Sequence, residues 1–229
     1  MRDRRSPTGL KRAFDISFSF IAVILLSPIL LTVALLIALH DGGPVFYRGE
    51  RAGLGGKRFR IFKFRTMVLE ADKAGASSTP DDDPRITLIG RFLRRYKVDE
   101  LPQLLNVFRG DMSVVGPRPQ VPWAVDLYSA KEKALLSVRP GITDYASIRF
   151  RNEGEILKGS ADPDGEYLKT IAPEKIRLGL LYVHQHSLLV DIRIIVATMA
   201  AVVGVNPTRI LALPASAARA GAAGGDVIA

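Results

Sequence analysis

Hydrophobic and polar positions follow three regimes along this chain, and each predicts a different kind of element. From Ile16 to Leu39 the sequence ISFSFIAVILLSPILLTVALLIAL runs for 24 residues without a charge. As one straight helix it would reach about 36 Å, against a bilayer hydrocarbon core of about 30 Å, so the segment is expected to lie in a membrane. A cleaved signal peptide fits less well: the run exceeds an ordinary signal core, and HDGGPVFYR follows it in place of a small-residue cleavage site.

The second regime has a period of two. In VFYRGE and KRFRIFKFRTM, Val45 and Tyr47 alternate with Phe46 and Arg48, and Phe59 and Ile61 with Arg60 and Phe62. That predicts a small β-hairpin closed by RAGLGG. Gly53, Gly55 and Gly56 could cradle a phosphate, but no helix N-terminus follows to supply the anion site, so the turn is the preferred reading.

The third regime is helical. RITLIGRFLRRYKV places Ile86, Ile89 and Leu93 on one side and Arg91, Arg94 and Arg95 on another. A further helix is expected from Asp99 to Gly110, with Pro102 tolerated in its first turn and Gly110 as its stop. MSVV predicts a short strand, and GPRPQ a rigid loop holding Arg118. Near the end, the apolar run after Arg193 covers only 12 residues. That is too short to cross a bilayer and predicts a helix in the core or on the membrane surface.

Charge bears on how the apolar segment sits. Arg2, Arg4, Arg5, Lys11 and Arg12 precede it, and Arg48, Arg51, Lys57, Arg58, Arg60, Lys63 and Arg65 follow it. The positive-inside rule places both flanks in the cytoplasm. Ser27-Pro28 falls near the middle, where proline removes a backbone hydrogen bond and kinks the helix. Ser27 can return a side-chain bond to the carbonyl of Val23 or Ile24. A re-entrant hairpin fits these features, yet proline also occurs in ordinary spanning helices, so a single crossing stays open at this level.

The whole chain has 229 residues, 32 Lys and Arg against 23 Asp and Glu, and no cysteine. Thiol nucleophiles, disulfides and zinc-thiolate sites are therefore excluded, and the excess of nine positive charges predicts an anionic partner. Candidate chemistry centres on RRYKVDELPQLLNVFRGDMSVVGPRPQ, where Asp99 and Glu100 adjoin Arg94, Arg95, Lys97 and Arg118. The plain reading makes Asp99 a helix N-cap and Glu100 a favourable first-turn charge. The alternative is a phosphate-handling centre: these cations, with Lys63 and Arg65, lower carboxylate pKa values and attract phosphate. Mg2+ would offset repulsion between carboxylate and diphosphate while one acid attacks phosphorus. Asp81, Asp82 and Asp83 read as turn formers, and His184 and His186 face different sides of a helix; neither group reads as a metal site.

In these residues the chain resembles a known family. KRAFD, the hydrophobic segment with Ser27-Pro28, GPVFYRGERAGLGGKRFRIFKFRTM, VDELPQLLNVFRGDMSVVGPRP and RPGIT occur in order, from about residue 11 to 200. Together they are similar to the bacterial monotopic phosphoglycosyl transferases, or polyprenyl-phosphate sugar-1-phosphate transferases. The resemblance implies transfer of a sugar-1-phosphate from a UDP-sugar to undecaprenyl phosphate, with release of UMP. It implies Asp99 as the nucleophile of a covalent phosphosugar intermediate, and Glu100 with Asp99 as the Mg2+ site. It makes Lys63, Arg65, Arg94, Arg118 and Arg139 substrate-binding candidates, and Ser27 and Pro28 the kink of a re-entrant helix. The sequence departs from many relatives after RPGIT, where Asp144, Tyr145, Ala146 and Ser147 follow, which leaves the sugar open.

The resulting expectation is an α/β, membrane-associated, monotopic enzyme with an N-terminal re-entrant helical hairpin, a small β-hairpin and amphipathic surface helices. Residues 1–40 form the membrane segment, 41–205 a cytoplasmic catalytic domain and 206–229 a disordered tail. The location is the cytoplasmic face of a bacterial inner membrane, in contact with membrane lipids and without nucleic acid; a homodimer is left open. The rival reading is a basic membrane-bound adaptor without catalysis.

Overall fold

A computed structural model describes residues 8–71 and 75–211. Arg2, Arg4 and Arg5, and most of the segment expected as a tail, lie outside them. Helix α1 (Thr8–Asp41) passes through Pro28 as one run. Ser27 Oγ donates to the Ile24 carbonyl at 2.7 Å, and Thr32 Oγ1 to the Pro28 carbonyl at 2.8 Å. Only 11% of its most apolar stretch is buried; Ile21, Ile24, Leu25 and Ile29 stand exposed. By length and composition α1 suffices to cross a membrane. Both of its ends, however, pack on the same polar domain. Its N-terminal part lies against the helix that follows the acidic pair. Val33 and Ile37 bury themselves against Phe64 and Leu93.

The predicted hairpin forms as a broken ribbon. Strand β1 (Phe46–Tyr47) pairs antiparallel with β4 (Lys63–Phe64), and β2 (Glu50–Ala52) with β3 (Arg58–Arg60). The turn reading of the glycines holds: Gly53 N–H donates to the Lys57 carbonyl at 2.8 Å, and Gly55 has φ of 65°. Helix α2 (Leu88–Arg95) begins at Thr87, whose hydroxyl accepts the Gly90 N–H. Gly90 lets α2 approach the ribbon closely, since a Cβ there would stand 2.0 Å from the Thr66 carbonyl oxygen.

The helix expected from Asp99 to Gly110 is two pieces, a 3-10 segment (Val98–Gln103) and α3 (Leu104–Arg109). Gly110, at φ of 96°, ends it. Strand β5 (Ser113–Val115) runs parallel to β6 (Gly141–Thr143). Between them lie α4 (Pro122–Asp126) and a 3-10 segment (Glu132–Ser137). Then follow α5 (Tyr145–Arg149), α6 (Glu153–Ile156) and α7 (Pro163–Glu166). A π turn (Tyr167–Ile171) joins α7 to α8 (Ala172–Gln185). Pro173 explains the widened turn, because it lacks the N–H that would continue the α-helical ladder.

Helix α9 (Leu188–Val202) buries Ile194 and Ala197 in the main core, also buries Ala201, and leaves Leu189, Ile192, Val196 and Met199 outward. Of residues 206–229, expected to be disordered, Thr208–Leu211 form a helical turn, α10, and Leu211 is buried in that core. The described part of the expected tail is therefore structured, because its apolar residues find a place against α9.

The KRAFD motif fastens α1 to this domain. Lys11 Nζ lies 2.6 Å from the fully buried Asp191 carboxylate, which also accepts the Tyr182 hydroxyl at 2.7 Å. Arg12 donates to the carbonyls of Val107 and Phe108, and Asp15 accepts from Ser113 and the Val114 N–H. Removing one partner of a buried ion pair leaves a charge uncompensated. Asp191→Ala is therefore expected to lower stability by about 3–5 kcal/mol, read as an earlier thermal unfolding transition in detergent. An unchanged transition would contradict this anchoring role.

Candidate active site

The acidic pair sits where three elements converge: β4, the 3-10 segment after α2, and the loop after β5. Lys97 starts that segment in the left-handed region, at φ of 57°, and makes no side-chain cap. A non-glycine residue rarely adopts this conformation; it turns the chain sharply from α2 into the acidic residues. Asp99 therefore lies inside the segment, and the N-cap reading is corrected: Lys97 holds that position. The Asp99 carboxylate is drawn across to β4 instead.

Asp99 is 1% exposed, with Oδ2 at 2.7 Å from Lys63 Nζ. Its Oδ1 is buried and has no hydrogen-bond partner among the described residues. Glu100 receives Arg118 in a two-pronged grip, Nη1 to Oε2 at 2.5 Å and Nη2 to Oε1 at 2.6 Å, with Lys63 3.6 Å from Oε1. Arg118 is itself aimed by the Ile142 carbonyl, 3.0 Å from Nη1. Burial pushes the Glu100 carboxyl up, but Arg118, Lys63 and Lys97 more than offset this and hold it far below the usual carboxylate range. The two acids and two cations thus form a self-neutralised quartet with Lys97 beside it.

The other candidates have the following partners. Arg139 donates to the Gly110 carbonyl at 3.0 Å, at the far end of α3. Arg65 is buried with its guanidinium against Gly43, just beyond α1. Arg94 acts electrostatically on Asp83. Asp83 donates its N–H to the Pro80 carbonyl and accepts the Ile86 N–H at its own carbonyl, in keeping with the turn reading, while its carboxylate pairs with Arg85 and Asp82 accepts the Gly159 N–H. The ring nitrogens of His184 and His186 lie at the carbonyls of Leu180 and Val183.

Two buried polar residues not singled out in the sequence lie on the acidic pair's own 3-10 segment and on α3, which follows it. Asn106 is fully buried, bonds the Arg60 carbonyl and the Phe62 N–H, and so ties α3 to the ribbon next to Lys63. An asparagine amid the apolar LLNVF was the available signal, since such a side chain seeks a backbone partner. Gln103 is fully buried, and its amide has no hydrogen-bond partner among the described residues. After RPGIT, Asp144 caps α5 by accepting the Ser147 N–H and hydroxyl, and Tyr145 enters the core. That departure is accounted for locally by a helix start.

A carboxylate held beside a lysine, next to a second carboxylate clamped by arginine, can exchange partners with a diphosphate. The phosphates would take the cations, and the acids would be freed for a metal or for attack. Comparison with known proteins gives the family. The model of a family described as bacterial sugar transferase matches residues 6–205. The chain is 38% identical over 207 residues to the exopolysaccharide production protein ExoY of Sinorhizobium fredii, covering 84% of each. It is 38% identical over 200 residues to an undecaprenyl-phosphate glucose phosphotransferase of Komagataeibacter xylinus, covering 82% of this chain and 35% of the relative. Over 193 residues it is 36% identical to the UDP-N-acetylgalactosamine-undecaprenyl-phosphate N-acetylgalactosaminephosphotransferase of Aeromonas hydrophila, covering 83% and 43%. The chain thus spans less than half the length of the latter two relatives.

Proposed function

The chain belongs to the bacterial sugar transferase family, and on that premise we propose that it moves a sugar-1-phosphate from a UDP-sugar to undecaprenyl phosphate through a covalent intermediate on Asp99. The observation that carries this is the buried Asp99 carboxylate, one oxygen on Lys63 and the other without a hydrogen-bond partner, beside a Glu100 that Arg118 keeps ionised. In the first step an Asp99 oxygen bonds the sugar-bearing phosphorus, and the bond to the bridging oxygen breaks. UMP leaves with that electron pair. In the second step a phosphate oxygen of undecaprenyl phosphate attacks the same phosphorus and Asp99 departs as carboxylate, so no proton is consumed. Lys63 and Arg118 bind the diphosphate and bear its negative charge as UMP leaves. The relatives' printed substrates differ in their sugars, glucose in one and N-acetylgalactosamine in another, so the sugar is left unassigned.

Mg2+ fits the pair. Among the described residues no three His, Cys, Asp or Glu side chains gather as a metal cluster, and Mg2+ takes one or two carboxylates with substrate phosphates completing its shell. Asp99, through its unpartnered oxygen, and Glu100 would hold it, and when bound it supplies charge neutralisation at the diphosphate. The direct test is release of UMP from a panel of UDP-sugars in the presence of undecaprenyl phosphate and Mg2+. Release dependent on both chain and metal is expected; binding to anionic vesicles without any UMP release would favour the adaptor.

For the membrane arrangement the support comes from α1. Both its ends contact one polar domain, through Lys11 and Asp191 at one end and Ile37 and Phe64 at the other. This favours a helix that dips into the cytoplasmic leaflet at Ser27-Pro28 and returns. The chain has no cysteine, so Ser6→Cys and Leu54→Cys report cleanly. Both are expected to react with an impermeant thiol reagent only from the cytoplasmic side of an inverted vesicle. Labelling of one from the opposite face would restore a single crossing.

A further inference from the structure

Arg118, which grips Glu100, also lines a cavity of about 150 Å³. Its walls include Gln120, Tyr128, Leu135, Ala146, Tyr167 and Ile176, from the loop before α4, the segment after it, α5, the π turn and α8. We propose that this cavity is the subsite for the pyrimidine base of the nucleotide donor, with Tyr128 and Tyr167 packing on the base and Gln120 reading its polar edge. This deepens the transferase reading given above and rests on it.

Three observations carry the assignment. The walls are largely apolar, and the charged side chains among them are already engaged, Lys175 with Glu153, Asp144 with Ser147, Glu132 with the Ser129 N–H and Arg118 with Glu100, which leaves the Gln120 amide, beside the Tyr167 hydroxyl, as the polar side of the cavity. A pyranose brings hydroxyls on every side, each needing a partner when buried. A pyrimidine brings two apolar faces and confines its polar atoms to one edge, which suits such walls. Second, Tyr167 is presented by the π turn ahead of Pro173, an irregularity often found where a helix serves a site. Lys175 lies 5.0 Å from its ring centroid and steadies it. Burial pushes the Tyr128 phenol up to about 12, so its hydroxyl remains a donor throughout the neutral range. Third, the Gln120 amide carries both donor and acceptor atoms, matching the carbonyl and N–H of a uracil edge. Arg118 then stands where the phosphate nearest the ribose would meet it, leaving Lys63 and Asp99 for the sugar-bearing phosphate.

The test uses the full chain in nanodiscs, with UMP as probe and calorimetric titration as readout. Tyr128→Leu and Gln120→Leu are each expected to weaken UMP about tenfold, as loss of base stacking or edge contacts does. KM for the UDP-sugar should rise in parallel, with kcat within about threefold of the parent, as for loss of uniform binding. Inhibition by inorganic pyrophosphate, which needs only Lys63 and Arg118, should not change. Gln120→Leu should also narrow the preference for UMP over CMP. Unchanged UMP affinity in both variants would overturn the proposal. So would unchanged UMP affinity combined with an altered preference among UDP-sugars, which would make this the sugar's pocket. If Tyr128→Leu also loses pyrophosphate inhibition, and so fails to fold, Ala124→Phe at the half-buried rim decides by blocking UMP or not. UMP binding needs no turnover, so the subsite is judged separately from the covalent route: that route fails if Asp99→Asn still releases UMP.

Discussion

Replacing Asp99 with asparagine is expected to leave a folded chain that binds UMP and yet releases it from UDP-sugar at least about 10³-fold more slowly, the scale of loss when a nucleophile is removed. The stability cost should be about 1.5–3 kcal/mol, the worth of a hydrogen bond to a charged group, because the amide oxygen can still accept from Lys63 while the ion pair is lost. Asp99 makes no capping bond that the substitution could break, and Lys63 keeps Glu100 at 3.6 Å. An amide cannot accept phosphorus as a carboxylate can, so activity falls without the fold. Steady-state UMP release and a thermal melt measured on the same sample separate the two effects. Turnover within about threefold of the parent would remove Asp99 from the chemistry.

Arg118→Met is expected to be the second large effect, about 10²- to 10³-fold in kcat/KM, because it strands a buried carboxylate as well as removing a phosphate ligand. Its signature is in the pH profile. In the parent chain Glu100 titrates far below the usual range, so the stability it contributes is complete above the ordinary carboxylate pKa and is lost only as pH falls through its depressed one. Without Arg118, burial is opposed chiefly by Lys63 and Lys97, and the Glu100 carboxyl rises. The acid limb of kcat/KM should therefore move toward neutrality. A fall in activity with an unmoved acid limb would show that Arg118 serves phosphate alone.

Much of this architecture could be read in the residue pattern, and the failures share one cause. The uncharged run of α1, the alternation around Tyr47 and Phe59, and the glycine stop at Gly110 are local signals, and each element formed. Local reasoning also made Asp99 an N-cap, since an aspartate before LPQLL fits that position. It could not weigh Lys63, which arrives from a strand distant in sequence and takes the carboxylate. Arg139 was grouped with the site by its motif, but the fold spends it on the Gly110 carbonyl. Lys11 and Asp191 are separated by 180 positions, and no periodicity announces a pairing of that range. The same holds for Gln120, Tyr128 and Tyr167, which become neighbours only through the connection between β5 and β6 and the bend at the π turn.

The most direct measurement of the central claim is the intact mass of the chain after incubation with UDP-sugar and Mg2+ in the absence of lipid acceptor. A sugar-phosphate adduct is expected on the parent chain, mapped to the peptide containing Asp99, discharged by added undecaprenyl phosphate or UMP, and absent from Asp99→Asn. UMP release that occurs only when undecaprenyl phosphate is present, with no adduct at any time, would contradict the covalent route and assign both carboxylates to metal and phosphate binding alone.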